Sequence, residues 1–182
     1  MALPYDTTPL RRAVIHALTG GTGKPRAMAL DGLPLFQLLP PAAAMARPAR
    51  VQSEPGCWVF VRDHQVAPDA VLHEMSTERR EQVTVEIVVS FWSGNPEHVE
   101  EHATQIERIE RDRQRVISAL CYPGALQYDD QGREVGLDGD SLPFAGYRSK
   151  GPEPLPMKAD DPRVLTVTHS FVATVSLLQS ST

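Results

Sequence analysis

The sequence predicts an α+β fold, a mostly antiparallel sheet flanked by an N-terminal helix and one long amphipathic helix. Three stretches carry that reading. VTVEIVVSFW alternates, with Val83, Val85, Ile87, Val89 and Phe91 on one face of a strand. Asn95-Pro96 then opens a long helix with apolar residues at Val99, Ala103, Ile106, Ile109, Val116, Ile117 and Leu120. A second alternating run, Val164 to Leu178, puts Leu165, Val167, His169, Phe171, Ala173, Val175 and Leu177 on one face. The opposite faces carry Thr84, Glu86, Ser90, Thr166, Thr168, Ser170, Thr174 and Ser176, which suits a sheet covered by helices on one side only.

Taken in chain order, Thr8-Pro9 starts the first helix, with Pro9 at a position whose missing N–H costs nothing. Leu10, Val14, Ala17 and Leu18 share a face, and Gly20 or Gly21 ends the helix in the left-handed conformation. Residues 25–56 are rich in Ala and Pro. Prolines 34, 40, 41, 48 and 55 forbid a long helix or central strand there, so this stretch reads as an extended arm or wrapping loop, with room for one short helix near Pro41 to Ala46. CWVFVRDH, from Cys57, is a strand. In the long helix, Asn95 caps the first turn, Glu97, Glu100 and Glu101 sit at the positive end of the dipole, and Pro123-Gly124 stops it. Residues 125–163 read as a hairpin about Asp129-Asp130-Gln131-Gly132 followed by a long Gly/Pro/Asp-rich loop. The last strand, at ~3.3 Å per residue, would span on the order of 50 Å, so it bends or outruns its neighbours.

Composition narrows the function classes. A 182-residue chain that is 41% hydrophobic is long and apolar enough for a single domain with a substantial core. Its net charge of −5, with dispersed Lys and Arg, argues against nucleic acid as the main partner. Cys57 and Cys121 form neither a disulfide framework nor a zinc set, and are expected to be buried thiols in a reducing compartment. No signal peptide and no membrane span is expected.

The motifs that resemble chemical sites are weak. Gly20 to Lys24 (GGTGK) lacks the first Gly and the terminal Ser/Thr of a phosphate-binding loop, and it follows a helix. His98, Glu101 and His102 fit H-x-x-E-H, which supports a zinc-dependent hydrolase as the alternative reading, but no later acidic helix supplies further ligands. Asp129, Asp130, Asp138 and Asp140 lack calcium-loop spacing and read as turn formers. Ser141 and Ser170 have no nucleophile elbow, and His169 reads as a core or interface histidine. No cofactor and no metal is expected. The anomaly is Arg113, which falls mid-stripe between Ile109 and Val116 and must snorkel, pair or face a neighbour. Trp92, Phe144 and Tyr147 add contact aromatics. With Arg113 and the loop carboxylates Asp138 and Asp140, they form the candidate subunit-interface set.

The order of elements resembles the tail terminator and tail completion proteins of tailed bacteriophages. That order is a helix, a proline-rich arm, a strand, a strand ending in FWSGNP, a long Glu/Arg helix, an Asp/Gly hairpin, a loop and a final strand with THSF. The resemblance runs from about Trp58 to Leu178, with the first helix a looser match. It is carried by Val85 to Trp92, Pro96 to Leu120 and Val164 to Leu177. It implies a structural, non-enzymatic virion protein that forms a ring, typically a hexamer, at the head-proximal end of the tail. Such a ring caps the tail tube, contacts tail-tube and neck or head-completion proteins, and lets DNA pass. The proline-rich arm and the 125–163 insertion depart from the pattern and leave a neck or tail-tube position as alternatives.

Overall fold

A computed structural model describes residues 7–20, 36–47, 51, 54–66, 78–92, 99–120, 126–137, 146–154 and 164–178. In chain order the elements are α1 (Thr8–Thr19), β1 (Gln37–Leu38), α2 (Pro41–Ala46), β2 (Gly56–Val66), β3 (Glu78–Trp92), α3 (Val99–Leu120), β4 (Arg148–Pro154) and β5 (Val164–Leu178). The strands form one mixed sheet in the order β1-β2-β3-β5-β4, with only the short β1–β2 pair parallel. This is the expected α+β architecture.

The β3–β5 pair is its spine, running from Glu78↔Leu178 to Trp92↔Val164 without a break. In-register alternation puts Val83 opposite Ala173, Val85 opposite Phe171, Ile87 opposite His169 and Val89 opposite Val167. All eight side chains are buried. Cys57 and Val59 of β2 extend this face, and α1 packs Leu10, Val14 and Leu18 onto it. Val116 and Leu120 of α3 join the same core. Each large apolar side chain so buried contributes about 1.5–3 kcal/mol, which makes this face the main source of stability. Cys57 is a free thiol there, pushed up to about 12 by burial, and so inert at neutral pH. Cys121 lies outside the described residues.

Two expectations need correcting, and one is narrowed. Where it is described, the 25–56 stretch takes the wrapping form of the two expected, with the short helix at Pro41–Ala46, because apolar residues sit between its prolines. Phe36, Leu39, Ala44 and Val51 are buried, and Leu39, Ala44 and Val51 cluster with Val164 against Trp92 on the second sheet face. That end of the sheet is therefore covered on both sides. The long loop contains a strand, β4, whose two prolines and Gly151 hid it. β4 is an edge strand, and an irregularity between Lys150 and Glu153 accommodates Pro152. Finally, α3 is rotated from the expected stripe, since Ile106 is 69% exposed while Asp112 and Arg115 are buried.

Parts of the β2 and β5 edges are guarded. On β2, Arg11 Nε donates to the Val59 carbonyl at 2.8 Å, and a bulge between Arg62 and Gln65 holds Asp63 at φ 54. On β5, the 126–137 segment closes the edge beyond β4. Leu137 bridges Val175, and Ser176 N–H donates to the Gly136 carbonyl at 2.7 Å. Gly136 has φ 69, and a Cβ there would sit 2.4 Å from the Ser176 carbonyl oxygen. Gly136→Ala is therefore expected to cost at least about 2 kcal/mol by chemical denaturation. A wild-type midpoint would show that this segment does not hold the edge.

Candidate functional site

The polar groups that the structure concentrates lie between α3 and the sheet. Counting only apolar residues puts Arg113 in the centre of the helix stripe. The buried line instead passes through half-buried Arg108, then Asp112, Arg115, Val116 and Leu120, at steps of three, four and one. Arg115 Nη1 donates to Asp112 Oδ1 at 2.9 Å, with 8% and 4% of their side chains exposed. Burial pushes the Asp112 carboxyl up to about 6, against the pull of Arg115, Arg108 and Arg111. Arg108 lies 6.0 Å from the Phe91 ring centroid, which ties this pair to the end of β3.

Beside this pair is a second group that sequence reasoning reached in part. Tyr147, just before β4, stands with its hydroxyl 2.7 Å from Nδ1 of His169 on β5. The two rings stack with centroids 6.1 Å apart. Burial and then the charge of Arg113 push His169 down to about 4, so it is neutral near pH 7. Burial also raises the Tyr147 phenol, outweighing a hydrogen bond and charge from Arg113. With the phenol raised and the imidazole lowered, neither group exchanges a proton near neutrality. The contact is a structural hydrogen bond that anchors β4 beneath α3. Arg113 itself is half-exposed and donates to Glu110 Oε1 at 3.0 Å. Hydrogen bonds from Gln114 and Arg113 hold the Glu110 carboxyl below the usual carboxylate range.

Arg113 thus meets the expectation that it must pair, and it stands close to Tyr147. Trp92 is elsewhere, packed on the second face against the α2 cluster. Phe144, Asp138 and Asp140 lie outside the described residues. Asp129 is a turn former. Its Oδ1 accepts N–H bonds from Gln131 and Arg133, both at 2.8 Å, and Oδ2 accepts from Arg133 Nε at 2.8 Å. Those bonds outweigh the upward push of burial and hold its carboxyl below the usual range. Asp112 and Arg115 were missed because charged residues are read as outward. The available signal was their spacing with Arg108 and Ala119, which places all four on one side of the helix.

His98 and the side chains of Glu101 and His102 lie outside the described residues. Among the described residues, no three His, Cys, Asp or Glu come together as a metal-binding group. The purified protein is expected to carry no stoichiometric zinc, and His98→Ala with His102→Ala is expected to leave folding unchanged. Stoichiometric zinc lost in that variant, measured by elemental analysis, would favour the hydrolase. No protein-family model matches the sequence, and no curated protein matches it.

Proposed function

We propose that this chain is a structural virion protein that assembles as a ring, six-fold in its simplest form, at the head-proximal end of a phage tail. There it caps the tail tube and joins it to the neck or head. The observation supporting this reading is the architecture itself. An N-terminal helix and a 22-residue helix lie on one face of a mixed sheet whose spine is the β3–β5 pair. This is the α+β plan implied by the resemblance to tail terminator proteins. Head-to-tail contacts between identical copies close into rings when the rotation permits. The test is native mass, alone and after mixing with tail tubes. Six copies of the 20.0 kDa chain give about 120 kDa on the tube. A chain that stays monomeric in both conditions argues against the ring.

A further inference from the structure

Ile106 is the most exposed large apolar side chain among the described residues, at 69%. A lone exposed isoleucine is ordinary on a monomer. Its setting on α3 is not, because Ile106, Glu110, Arg113 and Ile117 follow one another at steps of four, three and four. That is the spacing of a heptad seam, and it runs along the 22-residue helix beside the line that faces the sheet. The seam begins at Ile106; the side chains before it lie outside the described residues. Its middle residues are accessible, with 54% of the Glu110 side chain and 41% of the Arg113 side chain exposed. One flank, Ile109 and Val116, turns toward the chain's own core, and the other, Glu107 and Gln114, is exposed.

We propose that this seam pairs with the same seam of a second copy of the chain, the two α3 helices lying antiparallel about a two-fold axis at the level between Arg111 and Asp112. The seam is complementary to its own reverse. Pairing at that level sets Ile106 against Ile117 of the second copy at both ends, and Glu110 against Arg113 of the second copy in the two middle layers. Within one chain Arg113 Nη1 already donates to Glu110 Oε1 at 3.0 Å, so the pairing closes two such contacts into a four-residue ring of alternating charge. A guanidinium has five N–H donors, enough for Tyr147 and for a carboxylate from each helix. On the exposed flank, Glu107 and Gln114 meet as carboxylate and amide rather than as like charges. A parallel pairing would set Glu110 against Glu110 and Arg113 against Arg113, which like-charge repulsion disfavours. Polar layers in such a seam fix register and orientation at a cost in strength, so the pair is a reversible dimer. A two-fold contact closes at two copies and is independent of the head-to-tail contacts of the proposed ring.

The test uses the full chain and analytical ultracentrifugation across a concentration series. Wild type is expected to approach about 40 kDa, two copies of the 20.0 kDa chain. Glu110→Arg alone and Arg113→Glu alone are each expected to stay at the monomer mass. Their equimolar mixture is expected to recover the dimer, because each altered seam then meets one of opposite sign. Ser118→Arg, exposed and off the seam, is expected to dimerise as wild type does. Arg113 also bonds Tyr147, so the folding of Arg113→Glu is checked by circular dichroism, and a cysteine pair gives an answer without that variant. Ile106→Cys with Ile117→Cys is expected to form a covalent dimer under mild oxidation. Ile106→Cys alone is not, since antiparallel pairing holds the two 106 positions about 16 Å apart along the helices. Four results would each overturn the proposal: wild type monomeric at every concentration, a dimer that survives Glu110→Arg, two folded charge variants that fail to recover the dimer, or equal cross-linking of the single and double cysteine variants. A dimer in solution with no ring on tail tubes leaves this contact standing and removes the ring. A ring formed equally by wild type and Glu110→Arg, with no dimer, does the reverse.

Discussion

Arg115→Met is expected to lower folding stability by about 3–5 kcal/mol, because it leaves the Asp112 carboxylate buried without its hydrogen-bonded cation. The loss is not mainly one of packing, since Met fills much of the same volume. Two results would identify the cause. First, adding Asp112→Leu should recover most of the loss, because a well-packed apolar pair often equals or exceeds a buried ion pair. Second, the cost should shrink near pH 5, where Asp112, pushed up to about 6, already carries a proton. A double variant as unstable as the single one would show that the Arg115 stem, rather than its charge, matters to the core.

His169→Asn should alter the pH dependence of stability by about 3 kcal/mol. The groups facing His169 are Tyr147 ahead of β4 and Arg113 on α3, and its folded-state value is about 4, against 6.5 for the free side chain. Between those values the unfolded chain binds the extra proton, so wild-type stability falls as pH drops from about 6.5 to 4. At ~1.4 kcal/mol per pH unit, wild type should lose about 3 kcal/mol relative to His169→Asn between pH 7 and 4. Asp112 acts with the opposite sign. Its folded value lies above the unfolded one, so the native state holds the extra proton between about 4 and 6 and gains stability on acidification. Relative to Asp112→Asn, wild type should therefore gain over the same window. Because these two terms oppose, they largely cancel in the wild-type curve, and the variants reveal each one. Denaturant titrations at pH 4 and 7 measure both. Parallel curves for wild type and His169→Asn would mean that the imidazole is solvated in the native state.

The parts of the fold that could be read in advance are those where burial and hydrophobicity coincide. Strands β3 and β5 alternate cleanly, so their core faces and the buried His169 followed from period two. The Asp129 turn followed from the preference of Asp and Gly for such positions. Strand β4 did not follow, because RSKGPEP has no alternation and takes its place only from pairing with β5. The rotation of α3 was hidden for a related reason. Apolar Ile106 is solvent-facing while Asp112 and Arg115 are sheltered beside Val116, and a moment built on side-chain polarity counts all three the wrong way.

The most direct test of the proposed ring is a reconstruction of the tailed-phage particle that the proposal requires to carry this chain, with the fold docked into density between tail tube and neck. The proposal predicts a closed ring of about six copies encircling the DNA path at the head-proximal end of the tube. The chain found as an isolated monomer away from any tail or neck, or missing from the particle, would contradict it.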